Sequence, residues 1–423
     1  MARTLTPKDA HVIINAIADE ALGKNATVQA VDTSTFVSVG ETLLNADRTN
    51  VYNALSYVLG RTFVAVRPYK GKFYVVDEID AGLYGQRTRK ISYYEDDALS
   101  AGHFNTDLNG INLADGRENT SAGVLDSGAT SATGSQWEQH QKIPVEFFFG
   151  GSSVWQYGLT RYEDQIKAAF RSEQGLIDFM EGMMTEAYND IETEKESFRR
   201  LTVLNHMAGV IDLDASMPGS AVNLTAEYNA RFGTSYTTAQ LLSTYLEDFL
   251  KFFVSIVKIS SDFMTNRSLK YHWNPGASAS KALVRHTPKD RQKLVLYGPL
   301  MTEAQAWVYP ALFNPEYLNI DNFESVDFWQ NINDPMSISV TPAIPDVSDP
   351  TEQTAGDPVE TLIVGMLFDK DAVVTNVQLD DALSTPLEAR KRYRNIWWSF
   401  AKNAVNDFTE NAVVFYMADP VGP

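Results

Sequence analysis

A polar stretch between strand-forming segments constrains the fold of this chain more than any other feature of the sequence. Gly, Ser, Thr, Asn, Asp and Ala make up 27 of the 36 residues from 100 to 135, and within residues 119–135 only Val124 and Leu125 are large apolar side chains. Such a segment cannot bury enough apolar surface to offset the entropy lost on ordering it. Loops of this length are also uncommon inside a compact domain. We therefore predict that this segment is either disordered or ordered by another molecule.

The segments around this polar stretch have the residue pattern of β-strands. They are rich in Val, Phe and Tyr, and a Lys70-Gly71 turn separates the first two. The predicted strands cover 62–69, 72–79, 87–94 and 143–149. The run Phe147-Phe148-Phe149 favours burial of the last strand on both faces.

The N-terminal sixty residues are predicted to form an arm of short elements. Thr6 and Pro7 suit the start of a helix that ends at Gly23, and a second short helix is expected over 47–59. Residues 24–46 show no sustained period, so we expect a loose connector there.

A long helix is predicted after residue 156. Thr160 and Glu163 have the spacing of a capping box, and apolar residues recur at helical spacing from Ile166 to Leu204. Gly175 is a possible break, and the helix is expected to end by Gly209. Its length is typical of a rigid strut.

The remaining sequence alternates helices, loops and strands. A second capping box, Thr237 with Gln240, predicts one apolar helix that reaches Ile256. A helix over 302–313 and strands over 294–297, 337–341, 361–368, 393–400 and 411–417 follow. The segment Asp369-Lys370-Asp371 is predicted to cap a helix after a strand.

Two basic clusters stand out in a chain whose formal net charge is -19. Residues 267–293 contain seven Lys or Arg and one acid, Asp290. Contact with nucleic acid through phosphates is one reading, but in so acidic a chain we favour contact with an acidic neighbouring subunit. Charged side chains often protect the edge of a sheet from aggregation, and we predict this role for the cluster at 390–394.

Enzyme signatures are absent from the sequence. Cys is 0, which excludes thiolate chemistry and Cys-ligated metal sites, and the phosphate loops, serine elbow and zinc-helix motifs are missing. The acid pairs at 212/214, 369/371 and 380/381 leave a metal-dependent acidic hydrolase as a minor alternative, although turn chemistry explains them better. His206 is interpreted as part of the long helix's surface or core. We predict no cofactor, and neither a signal peptide nor a membrane-spanning segment.

Three groups of local motifs are distinctive: FGGSSVW at 149–155 with LTRYE at 159–163, YGPLMTEAQ at 297–305 with YP at 309–310 and FNP at 313–315, and VGMLFDKDA at 364–372. These motifs resemble those of the major capsid proteins of tailed bacteriophages with the Hong Kong 97 fold. The order of a loose arm, a polar excursion, a strut helix and an α/β region is similar to theirs.

The resemblance implies an α+β capsid fold. It assigns 1–60 to an N-terminal arm, 61–155 to an extended E-loop with flanking P-domain strands, and 156–214 to the P-domain spine helix. It assigns 215–372 to an A-domain and 373–423 to closing strands of the P-domain, or else of the A-domain.

The resemblance also implies a structural, non-enzymatic role. The expected partners are other copies in hexamers and pentamers, a scaffolding protein, a portal, and packaged double-stranded DNA in weak non-specific contact. The protein would assemble in the bacterial host cytoplasm and reside in the virion; an encapsulin-type compartment subunit is the alternative. Six residues are candidates for an assembly interface: Tyr84, Arg87, Arg89, Trp137, Arg285 and Arg291.

Overall fold

A computed structural model gives the fold of the protein. It describes residues 7–22, 29–45, 73, 76–78, 88–94, 111–112, 117–118, 144–149, 153–162, 173–275, 283–307, 322–346 and 353–419. The predicted helix over 47–59, the predicted strand over 62–69 and most of the polar stretch 100–135 lie outside these residues.

Two N-terminal helices pack against the body of the protein. Helix α1 spans Pro7–Leu22, as predicted, and α2 spans Thr33–Asn45. The prediction of a loose connector over 24–46 is therefore wrong for α2. Asp32 begins this helix, because its carboxylate accepts a hydrogen bond of 2.8 Å from the Thr35 N–H.

One uninterrupted helix, α3, spans Glu173–Asp212, a length of about 60 Å at the usual rise per residue. It continues through Gly182 and Gly209, so the predicted end at Gly209 is three residues early. The predicted start at Thr160 is wrong, because that residue lies in a strand.

A four-stranded sheet has the order β1-β14-β15-β6 in the described part of the chain. Its strands are β1 (Asp77–Glu78), β6 (Ser153–Tyr162), β14 (Val373–Ser384) and β15 (Tyr393–Asn406). Every second residue of β6 points toward the core, as Trp155, Tyr157 and Leu159 do. This two-residue alternation stabilises a strand, so the helix-start pattern at Thr160 does not begin a helix. The Thr160 hydroxyl instead lies 2.7 Å from the Asn395 amide oxygen across the sheet.

A second sheet of six described strands has the order β7-β16-β13-β8-β9, with β10 also paired to β13. Its strands are β7 (Ala221–Asn223), β8 (Gln292–Tyr297), β9 (Asn322–Val326), β10 (Ser337–Val340), β13 (Val359–Asp369) and β16 (Ala412–Met417). The predicted buried strand over 361–368 is its central strand, which pairs with β8 and β16.

Three smaller strand pairs complete the described strands. The β2–β5 hairpin joins Thr88–Tyr93 with Pro144–Phe149, so both sides of the polar stretch are strands, as predicted. Within that stretch β3 (Ile111–Asn112) pairs with β4 (Arg117–Glu118). The third pair is β11 (Ala343–Pro345) with β12 (Gln353–Ala355). Burial of β5 on both faces is wrong, because Phe147 and Phe149 are buried while Phe148 is 40% exposed.

Four further helices follow α3 along the described chain. They are α4 (Leu224–Phe232), which the sequence analysis did not predict, α5 (Thr238–Leu241), α6 (Leu246–Met264) and α7 (Gly298–Trp307). The Thr237–Gln240 capping box is present, but it begins the short α5, and a turn separates α5 from the apolar α6. The single helix predicted there is therefore two.

Three hydrophobic cores hold these layers together. The first lies between α1, α2, the N-terminal half of α3 and the four-stranded sheet. The second lies between the C-terminal half of α3 and one face of the six-stranded sheet, and the third joins the opposite face of that sheet to α4 and α6. Burial on both faces explains the nearly continuous apolar run of β13.

Gly365 lies on β13 where this strand is in close contact with the neighbouring strand β8. A β-bulge interrupts the β13–β16 register between Ile363 and Gly365, and a Cβ at Gly365 would lie 2.5 Å from the Val295 carbonyl oxygen and 2.3 Å from Leu296 Cδ2. Only glycine fits this position without displacing the β8 backbone.

We expect Gly365→Ala to lower the free energy of unfolding by about 3 kcal/mol, because the methyl group overpacks a position bounded by backbone. Gly233→Ala is the matched control. It has no neighbour within 4 Å and a φ of 64°, so it should cost only about 1 kcal/mol of backbone strain. Urea unfolding followed by tryptophan fluorescence measures both. Equal losses would contradict the steric argument.

Candidate functional site

Of the six residues predicted for an assembly interface, the structure describes Arg89, Arg285 and Arg291. Tyr84, Arg87 and Trp137 lie outside the described residues. Each of the other three is held by groups of its own chain, and a contact of theirs with another subunit stays a prediction.

Arg89 lies on the exposed side of the β2–β5 hairpin. Its guanidinium pairs with the carboxylate of Glu146 on β5, with an Nε–Oε2 distance of 3.1 Å. The hydrogen bond from Arg89 holds the pKa of Glu146 below its usual value. This contact fixes one hairpin strand to the other.

The opposite side of β2 carries a largely enclosed cluster of charged side chains. Lys90 forms ion pairs with Asp407 and Glu410, and its Nζ lies 3.2 Å from Thr409 Oγ1. Arg285 donates to Ser92 Oγ at 2.8 Å and to the Thr409 carbonyl at 3.0 Å. We call Lys90, Arg285, Asp407, Thr409 and Glu410 the charged junction.

The charged junction anchors the hairpin at the base of the polar stretch to the turn between β15 and β16. Asp407 is 2% exposed, and its carboxylate accepts hydrogen bonds from the backbone N–H and the hydroxyl of Thr409 at 2.9 and 2.6 Å. Burial raises the pKa of Glu410, while the charges of Lys90 and Arg285 act in the opposite direction. Removing Lys90 would leave the buried Asp407 without its cation, whereas Glu410 would keep Arg285 at 3.7 Å.

Arg291 belongs to a second charged cluster, at the turn between β13 and β14. It pairs with Asp371 and lies 3.3 Å from Asp369 Oδ1, while Thr287 donates to the other Asp369 oxygen at 3.0 Å. The predicted helix cap at 369–371 is wrong, because Asp369 accepts the Asp371 N–H within a turn that leads into β14.

Partners on the same chain neutralise most of the basic segment 267–293. Besides Arg285 and Arg291, Lys289 pairs with Asp262 at 2.6 Å and Lys293 with Asp77 at 2.6 Å. The Lys and Arg side chains of this segment therefore neutralise acidic side chains that the fold brings from other parts of the chain. Its proposed contact with a neighbouring subunit is not needed to explain these charges.

His206 lies in the core beside the charged junction. Its ring stacks on Phe408 with centroids 4.7 Å apart, and the side chain is fully buried. Neither ring nitrogen has a hydrogen-bond partner. Burial lowers the pKa of His206 to about 4, although the nearby Asp407 acts to raise it. His206 therefore belongs to the core, one of the two interpretations offered from the sequence.

Among the described residues, no group of three or more His, Asp or Glu side chains could hold a metal ion. No helix of the described chain is long and apolar enough to cross a membrane.

Sequence reasoning missed Lys90, Asp407, Thr409 and Glu410. Lys90 and Asp407 are 317 positions apart in the chain, and no local spacing connects them. The only signal was the Asn406-Asp407 turn between two predicted strands, which gave no indication of what packs against it.

The comparison with protein-family models gives a match over most of the chain. The model described as Phi29-like phage major capsid protein matches residues 143–416. The comparison with curated proteins gives no significant match.

Solved structures similar to this chain include several from phage particles. The capsid structure of Staphylococcus phage Andhra is 11% identical, covers 82% of this chain and 84% of its own, and has a TM-score of 0.47. A structure of the head fiber and inner core protein gp22 of native bacteriophage P68 is 10% identical, with coverages of 81% and 83% and a TM-score of 0.47. The capsid structure of Cyanophage P-SCSP1u is 10% identical, with coverages of 82% and 86% and a TM-score of 0.41.

We expect Lys90→Met to lower the free energy of unfolding by about 3 kcal/mol, because the buried Asp407 loses its cation and Glu410 loses the nearer of its two cations. Amide hydrogen exchange in β2 and β5 should also accelerate, since the hairpin loses its anchor. Arg89→Met on the same strand is the control and should cost much less, because its ion pair is open to water. Equal effects of the two substitutions would contradict an anchoring role for the charged junction.

The lowered pKa of His206 predicts that the folded protein loses stability in acid. Its pKa is lower in the folded protein than in the unfolded chain, so the unfolded chain binds the proton first as the pH falls from 6.5 toward 4. The folded state should lose up to about 3 kcal/mol over this window and gain it back as the pH rises. Chemical unfolding at a series of pH values measures the slope.

His206→Leu should flatten this slope, and the exposed His286→Gln should leave it unchanged. Part of the slope should remain in His206→Leu, because burial also lowers the pKa of His272, against the hydrogen bonds that its ring makes to the Leu283 and Lys270 carbonyls. An unaltered slope in His206→Leu would show that another group governs the acid response.

Proposed function

The chain belongs to the Phi29-like phage major capsid protein family, whose model matches residues 143–416, and from this premise we propose that it assembles into the shell of a tailed-phage head. The match confirms the resemblance to tailed-phage major capsid proteins that was drawn from sequence motifs. It gives the protein a structural role in a virion. The family match is the single observation on which the proposal depends.

We propose that the subunits form hexamers and pentamers of an icosahedral or prolate shell around double-stranded DNA. A closed shell repeats a few kinds of contact many times, so weak contacts between copies suffice for a stable particle. A scaffolding protein and a portal are the expected assembly partners in the host cytoplasm. With a formal net charge of -19, the shell would hold its DNA only through weak, non-specific contacts.

The division into capsid domains is part of the same proposal. The arm, 1–60, would contain α1 and α2, and the E-loop region, 61–155, would contain the β2–β5 hairpin with the polar stretch between its strands. The spine region, 156–214, would contain α3, and the A-domain, 215–372, would contain most of the six-stranded sheet. The closing segment 373–423 contributes to both sheets, since β14 pairs with β15 and β15 with β6, while β16 pairs with β13.

The E-loop assignment is supported by the way in which the polar stretch is attached. The strands on either side of it, β2 and β5, pair in an antiparallel hairpin, and the charged junction fixes that hairpin to the body. A long polar segment that begins from a fixed base can reach an adjacent subunit in a reproducible direction. That is the arrangement that exchange of segments around a shell requires.

We expect the purified full-length protein to form shells, tubes or ring-shaped capsomers at high concentration. Negative-stain electron microscopy and sedimentation velocity would show them, and a persistent compact monomer would contradict the proposal. The contents of particles from producing cells decide between the two shell hypotheses. Nuclease-protected double-stranded DNA supports the phage head, and an enzyme cargo without DNA supports an encapsulin-type compartment.

A further inference from the structure

One face of the four-stranded sheet carries large apolar side chains in contact with solvent. Leu383 is 63% exposed, Tyr162 is 50% exposed and Trp397 is 39% exposed. Their neighbours Ile396 and Trp398 point to the other face and are buried in the core with α1, α2 and α3. The sheet therefore has a covered face and an outward face.

Trp397 packs closely against the strands on the outward face. This residue pairs with Leu383 on one side and with Gly158 on the other. A Cβ at Gly158 would lie 2.6 Å from Trp397 Cζ3, so the indole ring lies directly over the glycine. The contact holds a large aromatic side chain flat on the sheet, where it presents a broad apolar surface.

A basic turn extends the β14–β15 hairpin beyond this face. Glu388 closes the turn, because its carbonyl accepts the Arg392 N–H at 2.8 Å and its own N–H donates to the Tyr393 carbonyl at 3.0 Å. Arg392 has a φ of 54°, a conformation that usually favours Gly or Asn and that costs a residue with a Cβ about 1 kcal/mol. The turn thus keeps a basic side chain at a position where a smaller residue would be more stable.

The charges of this turn differ from the other cationic clusters of the protein. Arg390 and Lys391 are exposed, and their side chains have no ion pair or hydrogen bond to the part of the chain that the structure describes. In contrast, Lys90, Arg285 and Arg291 all have carboxylate partners on their own chain. The prediction that the 390–394 cluster guards a sheet edge is wrong, because β15 lies between β14 and β6.

We propose that Tyr162, Leu383, Arg390, Lys391 and Trp397 form a docking patch for an acidic surface of a second copy of this chain. An apolar centre of Trp, Tyr and Leu beside a rim of Arg and Lys has the composition of a protein interface. Double-stranded DNA would use the rim and leave the apolar centre exposed. A net charge of -19 makes another copy an acidic partner that complements the rim. This inference rests on the proposed self-assembly and names one of its contacts.

A photo-crosslinking experiment tests the contact directly. The photoreactive amino acid benzoylphenylalanine replaces Leu383, whose exposed side chain leaves the core intact, and the variant is mixed with isotope-labelled wild-type protein before assembly. We expect crosslinks between labelled and unlabelled chains in assembled particles, and their loss in dissociated subunits. Particles that form without such crosslinks, or with crosslinks only to DNA or to another protein, would overturn the docking patch and leave the proposed function standing.

Charge reversal of the rim gives a second, independent measurement. Arg390→Glu with Lys391→Glu should raise the subunit concentration needed for half-assembly about tenfold, because each rim charge of this kind contributes roughly two- to fivefold. The control, Arg231→Glu with Lys251→Glu, changes the net charge equally at exposed sites outside the patch and outside the segment 267–293. Unchanged thermal unfolding in both variants excludes a folding defect.

The outcomes separate the two hypotheses. Equal assembly of the rim variant and the control would overturn the docking patch. Failure of the wild-type protein to form any particle or capsomer would overturn the proposed function, and the patch with it.

Discussion

The shared position of α3 in two hydrophobic cores is the constraint on which the rest of the structure depends. Its N-terminal half contributes Ile177, Tyr188 and Ile191 to the core with the four-stranded sheet. Its C-terminal half contributes Leu204 and Met207 to the core with the six-stranded sheet. A helix of 40 residues is rigid over this distance, so the two sheets keep a fixed separation and orientation.

The β14–β15 hairpin provides a second connection between the same two cores. Val373 and Val405, at one end of the hairpin, pack with the six-stranded sheet, while Trp398 and Phe400 pack with α1, α2 and the N-terminal half of α3. The charged junction lies just beyond that end, where it ties the β2–β5 hairpin to the turn after β15. The base of the polar stretch is thus attached at the end of the β14–β15 hairpin that packs with the six-stranded sheet. In a shell subunit, this attachment would transmit a load on the extended segment to the whole body.

Predictions from the sequence were correct where a single local pattern determined the structure. The apolar run of β13, the capping box at Thr237 and the helix start at Pro7 were predicted correctly because each depends on neighbours in the sequence. The capping pattern at Thr160 failed because the two-residue alternation of β6 and its pairing with β15 stabilise a strand instead. The charged junction could not be predicted, because its residues meet only after both sheets have formed. The partners of the basic segment 267–293 on its own chain could not be predicted for the same reason, and its contact with a neighbouring subunit stays a prediction.

The pairing of β6 with β15 also affects the order in which the protein can fold during synthesis. Thr160 and Asn395, which face each other in this sheet, are 235 residues apart. The four-stranded sheet therefore cannot close until β15 has left the ribosome, and the N-terminal half of α3 lacks the sheet that covers it before then. Nascent chains would need a chaperone or rapid completion to avoid aggregation. The same delay prevents a partly synthesised subunit from presenting a finished surface to a growing particle.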